Sequence, residues 1–246
     1  MSDNSLLGSI HVMKGQAGPI YLIDNADGII VIDVGFPSDA KAIIRYVEDD
    51  LNRDVNNIKL IILTHAHFDH VNGVDYLTKR TNACVAAHVN SKKYLIGIKA
   101  IPVTSLSSNI GFLAFLVKNK FPRPSVSDIF IMPWSGIPGL RKGIKSEVKS
   151  WLEDGKAIPG FPGWEVIHTP GHTDDSMCLY NFKEKILFSG DTLINDKGVL
   201  KLNQLLLWNK AALKNSFKKL LQFPVDCLFP GWGLPVIGDN VLKDVQ

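Results

Sequence analysis

Four side chains able to bind a metal ion crowd into one short stretch, Thr64-His65-Ala66-His67-Phe68-Asp69-His70. Imidazole and carboxylate together suit zinc, iron or manganese, and the stretch alone does not choose among them. In an extended segment, residues two apart point the same way, so His65 and His67 can reach one ion. Asp69 and His70 fall where the chain turns into a helix marked by Val71, Val74 and Leu77, and they project at a different angle. One loop can therefore supply two neighbouring ligand sets. A lone histidine here would read as a loop-lining residue; three with an aspartate within six residues read as a metal site.

Two later segments fit the same site. Thr169-Pro170-Gly171-His172-Thr173 follows a strand ending at Ile167, and its Pro-Gly turn presents His172 at the strand end. Ser189-Gly190-Asp191-Thr192 follows the apolar Ile186-Leu187-Phe188, where Gly190 permits a tight turn that places Asp191. Either alone is weak, because such turns are common. Together and in this order they carry weight.

The elements that must position these residues read as a mixed α/β fold. Ile20–Ile23 and Ile29–Ile32 are short apolar runs joined by Asp24-Asn25-Ala26-Asp27-Gly28, a hairpin signal. Ser38 is placed to cap a helix whose apolar face is Ala42, Ile43, Tyr46, Val47 and Leu51. Leu60–Leu63 is a fully apolar strand, of the kind buried on both faces, and the histidine cluster follows it directly. Cys84–Ala87 reads as a further strand, Glu165–Ile167, Met177–Tyr180 and Ile186–Phe188 as three more. A helix is expected at about 209–221 and a last strand at Cys227–Phe229, before Pro230-Gly231-Trp232-Gly233.

Residues from about 91 to 150 break this pattern with Gly, Pro, Ser and Lys, and read as an insertion with a helix near 108–118. The chain is expected to be a single domain over residues 1–246, with that insertion forming a lid or substrate wall. Phe112, Phe115, Trp134 and Trp151 are candidates to line it, although packing or a homodimer contact is the plainer use of each.

Of the 246 residues, 46% are hydrophobic and 21% charged, as in an ordinary globular protein. A formal charge of +3 with scattered lysines gives no footprint for nucleic acid. Cys84, Cys178 and Cys227 are odd in number and form no CxxC pair, so reduced thiols in a cytoplasmic protein are expected. The N-terminal segment lacks a signal-peptide pattern, and the most apolar stretch, Ile110–Val117, is too short to cross a membrane.

These motifs resemble the metallo-β-lactamase superfamily, in the branch holding glutathione thioesterases and quorum-signal lactonases, from about residue 10 to 235. The resemblance implies a four-layer αβ/βα sandwich with the metals where two sheets meet. It assigns His65, His67 and His172 to a first metal, Asp69 and His70 to a second, and Asp191 as the bridge. Asp33 matches a position that orients the histidine loop. One departure stands out: the closing Pro-Gly-x-Gly motif usually carries a histidine of the second site, and here it carries Trp232. None of the seven histidines, at 11, 65, 67, 70, 88, 168 and 172, follows His172, so water or a group such as Asp226 would have to substitute. One or two zinc ions are expected, with iron or manganese as alternatives.

The activity implied is hydrolysis of an ester, thioester, lactone or amide on a small-molecule substrate, acyl-bearing or apolar, with Asp69 as the catalytic residue. A mononuclear iron persulfide dioxygenase and a non-catalytic binding protein with a vestigial site are the competing readings. His88 and His168 end strands and are read as packing beside the site, and His11 as structural.

Overall fold

The structure, a computed structural model, describes residues 8–99 and 143–246. Its contacts group the chain into two compact units, one drawn from the N-terminal part with 92–99 and 143–151, the other from His88–Ser91 and Leu152–Gln246.

The first unit is built on a six-stranded sheet in the order β1-β2-β3-β4-β5-β6. β1 (Ile10–Lys14), β2 (Pro19–Asn25) and β3 (Gly28–Ile32) form an antiparallel meander. β4 (Ile58–Leu63) and β5 (Cys84–His88) then run parallel to β3, and β6 (Val148–Leu152) completes the edge. β3 is buried along its whole length and β4 everywhere except Lys59, which is what continuous Ile/Leu/Val runs require. Their register sets Ile32 opposite Ile62, so the residues just beyond both strands, Asp33 and Thr64, emerge at one end of the sheet. The carboxyl ends of parallel strands are where α/β folds place ligands.

α1 (Pro37–Arg45) and a π-helical turn at Tyr46–Asp50 carry the chain from β3 towards β4. Their apolar face, Ala40, Ile43 and Val47, packs into a core with Val31, Ile61, Leu63 and Val85. The helix begins one residue before the expected Ser38 cap. Asp39 closes its first turn instead, accepting from the amides of Phe36 at 2.9 Å and Gln16 at 3.0 Å. The helix expected across Val71 to Leu77 is two short ones, α2 (Phe68–Val71) and α3 (Val74–Thr78), broken at Asn72-Gly73. Gly73 donates to the Val34 carbonyl at 2.9 Å, and a side chain there would strike the Phe36 carbonyl, so docking on the β3 loop prevails over helical continuation. α4 (Lys92–Leu95) ends the part described before residue 143.

The second unit carries a seven-stranded sheet, with main order β13-β12-β10-β9-β8-β7 and β11 paired to β10. β7 (Ala157–Ile158), β8 (Phe161–His168), β9 (Met177–Asn181) and β10 (Ile186–Asp196) are antiparallel neighbours. β11 (Val199–Leu202) folds back on β10, β12 (Cys227–Trp232) lies parallel to it, and β13 (Val236–Ile237) caps the edge. α5 (Lys210–Leu220), capped by Asn209, lays Leu220 into a core with Ile167, Tyr180, Leu187 and Leu228.

Two strands exceed their sequence signal. β10 runs past Phe188 to Asp196 because Lys197 and Gly198, both at positive φ, make a tight hairpin turn with β11. β12 continues past Phe229 through Trp232, so Trp232 lies in the sheet and not in a loop. Trp151 packs against the first unit's core, with Lys92 Nζ 5.7 Å from its ring centre. Phe112, Phe115, Trp134 and the expected helix near 108–118 lie outside the described residues. No helix among the described residues is long and apolar enough to cross a membrane.

Candidate metal centre

In the first unit, the loop after β4 buries His65, His67, Asp69 and His70. Their rings crowd together: the His65 centroid lies 4.7 Å from that of His67 and 4.1 Å from that of His70. Such a cluster of buried imidazoles is costly unless each ring has a polar or metal partner. Asp33 supplies part of the answer. Its Oδ2 lies 2.8 Å from His70 Nδ1 and accepts from the Thr64 hydroxyl at 2.7 Å, while Oδ1 accepts from the Thr64 amide at 2.8 Å. Thr64 Oγ1 in turn lies 3.1 Å from His65 Nδ1. Occupying Nδ1 of both rings directs Nε2 as the coordinating atom, the usual arrangement around a metal.

Asp33 sits at φ 59, a left-handed conformation that costs a non-glycine residue free energy. The backbone around it is tied on both sides: Asp33 donates to Ile62 at 2.9 Å and Val34 to the His70 carbonyl at 2.9 Å. The carboxyl of Asp69 is buried, and its Oδ1 has no hydrogen-bond partner among the described residues. Burial raises its pKa above the usual carboxylate value, against the pull of His70 beside it.

The second unit presents His172, Asp191 and Trp232, all buried. His172 follows β8 in a loop pinned at its carbonyls. Gly171 O accepts from the Asn209 amide at 2.8 Å, His172 O from the Trp208 amide at 2.9 Å, and Pro170 O from the Ser216 hydroxyl at 2.7 Å. Gly171 cannot carry a side chain, since a Cβ would run into the backbone of Leu213 on α5. Asp191 lies in β10 where the pairing with β12 shifts register around Gly190, at φ 46, a bulge that re-aims its side chain. His172 Nε2 is 3.3 Å from Asp191 Oδ2. That same oxygen accepts from Trp232 Nε1 at 2.9 Å and from the Asn203 amide at 3.3 Å.

A search of protein families matches residues 14–232 to the metallo-beta-lactamase superfamily. The chain belongs to this superfamily. Its fold is the metallo-β-lactamase fold, α/β with two mixed sheets. The superfamily member is 27% identical over 96% of its length to a Bacillus subtilis (strain 168) protein described as probable metallo-hydrolase YflN, covering 88% of that chain. It is 28% identical to a hydroxyacylglutathione hydrolase of Pelagibacter ubique, over 71% of its own length and 50% of the relative's. The crystal structure of a metallo-beta-lactamase family protein from Thermus thermophilus aligns with a TM-score of 0.64 at 18% identity, over 98% of this chain and 78% of that one, a likeness of fold. The superfamily member is thus a metal-dependent hydrolase with buried His/Asp clusters able to hold a metal.

Other expected participants fall elsewhere. Asp226, considered as a substitute ligand, precedes β12 at the end opposite Trp232, where it pairs with Lys185 at 3.0 Å and accepts from the Asn240 amide at 3.0 Å. His88 and His168 stack on each other with centroids 4.1 Å apart. His11 contacts the Tyr46 hydroxyl at 3.0 Å, as a structural residue does. Asn203 had no signal in the sequence; only the β10–β11 hairpin brings it to Asp191.

Proposed function

We propose that the superfamily member hydrolyses an acyl bond at a carbonyl carbon, in the order of preference ester, thioester, lactone and amide. The observation that carries this reading is the buried trio His65, His67 and His70, with the Nδ1 atoms of His65 and His70 engaged by Thr64 and Asp33. In this reading His65, His67 and His172 hold one ion, zinc being the first choice, and Asp191 is a ligand beside them. Asp69 and His70 border the same centre. The donor set fits a borderline ion: neutral imidazoles and carboxylates, oriented by hydrogen bonds to their outer atoms.

A divalent ion bound there supplies acidified water and polarises the substrate carbonyl. Asp33 and Thr64 hold the rings of His70 and His65 in place. Asp69 Oδ1, buried and without a hydrogen-bond partner among the described residues, orients the attacking water and receives its proton. It then returns the proton to the leaving alkoxide or thiolate. The place of thioesters among these substrates draws support from the Pelagibacter ubique relative, which is named a hydroxyacylglutathione hydrolase.

The test is a panel of acyl esters, thioesters, lactones and amides offered to the zinc-loaded protein and to Asp69→Asn. The wild type is expected to cleave esters or thioesters, and the variant to keep its metal and lose about 10²-fold or more in kcat. A fully active variant removes Asp69 from the mechanism. Oxygen uptake by the iron-loaded protein, without hydrolysis, overturns the reaction class.

A further inference from the structure

We infer that Asn203 is a positioning residue for the metal centre: with the connector it begins, residues 203–209 between β11 and α5, it holds Asp191 and His172 as a pair. This rests on the reading above, in which both are metal ligands. His172 Nε2 lies 3.3 Å from Asp191 Oδ2. Two ligand atoms, each about 2.0–2.2 Å from one tetrahedral ion, stand roughly 3.3 Å apart. The two side chains are therefore already placed as neighbours around an ion are. They come from different segments, the loop after β8 and the middle of β10, and the connector touches both.

Asn203 is buried, and a buried amide is costly unless its oxygen and nitrogen are both bonded. Its Oδ1 accepts from the Leu205 amide at 2.9 Å, and its Nδ2 donates to Asp191 Oδ2 at 3.3 Å. The Leu205 bond settles which way the amide points: turned over, it would set N–H against N–H and oxygen against carboxylate. The Asn203 backbone amide donates to the carbonyl of Thr192, the residue after Asp191, at 3.2 Å. Trp232 Nε1 restrains the same carboxylate oxygen from β12, at 2.9 Å. What sets Asn203 apart is the connector it belongs to. The chain turns at Leu205 and Leu206, and Leu206 is buried at φ 54, a left-handed conformation that costs a leucine free energy. At the far end the amides of Trp208 and Asn209 donate to the carbonyls of His172 at 2.9 Å and Gly171 at 2.8 Å. Asn209 also caps α5, accepting from the Ala212 amide at 3.0 Å. One strap thus grips the Asp191 side chain at its start and the His172 backbone at its end. A link that merely joined strand to helix would need neither a buried asparagine nor a left-handed leucine.

The experiment measures zinc affinity by chelator competition and the absorption of the cobalt-substituted protein, for Asn203→Ala, Asn203→Ser, Asp191→Ala and the Asn203→Ala/Asp191→Ala double variant. Asn203→Ala is expected to raise the zinc dissociation constant roughly 10- to 100-fold and to shift the cobalt spectrum. Asn203→Ser keeps an oxygen to accept from the Leu205 amide, so a loss it shares with Asn203→Ala belongs to the contact with Asp191 and not to the turn. In the Asp191→Ala background, Asn203→Ala should change affinity by less than about 2-fold, because its effect passes through Asp191. Unchanged affinity and spectrum in Asn203→Ala overturn the inference, as do full wild-type values in Asn203→Ser or equal losses with and without Asp191. If Asn203→Ala does not fold, or Asp191→Ala binds zinc too weakly to measure, the affinity and spectrum of Asn203→Ser decide. Undiminished zinc binding in Asp191→Ala refutes the ligand reading itself, whereas a loss there leaves the Asn203 variants to judge the strap.

Discussion

Asp33 shows how much of a buried histidine cluster is held by a residue outside it. Three donors converge on its carboxylate, the amide and hydroxyl of Thr64 and Nδ1 of His70. An amide at this position keeps the left-handed backbone, which Asn tolerates, but replaces one acceptor oxygen by a donor facing another donor. Asp33→Asn is expected to fold, as read by circular dichroism, and to bind zinc about 10- to 100-fold more weakly in a chelator competition. Unchanged affinity would mean that His70 is oriented by something else. At this scale the sequence was most informative: His65, His67, Asp69 and His70 announce themselves by density. Asn203 did not, because a single polar residue after a strand has no pattern, and its role exists only once β11 folds back on β10.

The elements hold the site by their ends. The His172 loop is gripped by the approach to α5, and Gly171 is the point of closest contact with Leu213. Gly171→Ala should therefore push the loop off the helix, because the added methyl meets backbone and not a yielding side chain. The expected result is a destabilisation of about 1–3 kcal/mol, the usual cost of overpacking, with weakened zinc binding. Denaturant unfolding and a metal titration check the two effects, and a silent substitution would show that the loop is looser than its hydrogen bonds imply. Strands with unbroken apolar runs, such as β3 and β4, were legible at this level. Those that depend on pairing were not. β11 has no apolar run, and the far half of β10 with Gly190 and Asp191 reads as a turn, because the register shift against β12 leaves no mark in periodicity. The break between α2 and α3 is equally tertiary in origin, set by Gly73 docking on the β3 loop.

For the molecule as a whole, acid is the condition most directly tied to a named group. Burial, reinforced by the neighbouring His168 imidazole, pulls His88 down from 6.5 to about 4. Between those two pH values the unfolded chain takes up a proton at His88 that the folded chain refuses, so stability falls as pH falls through this window and is unaffected by this group above it. The difference in unfolding midpoint between pH 7 and pH 4.5 should shrink in His88→Asn relative to wild type. An identical pH slope in both proteins would show that His88 is accessible to protons when folded. A mixed α/β fold was readable from the order of apolar runs, whereas the two sheets followed only from the family resemblance, because apolar runs do not say which strands pair.

The second unit's sheet ends in strands of only two residues, Ala157–Ile158 on one side and Val236–Ile237 on the other. An exposed strand edge is a template on which another chain can extend a sheet, and long flat edges invite aggregation. Here β7 and β13 each pair with two residues of the longer strand beside them, and Pro230 farther along β12 has no amide to offer a newcomer. The edges that the sheet carrying His172 and Asp191 offers to another strand are therefore short ones.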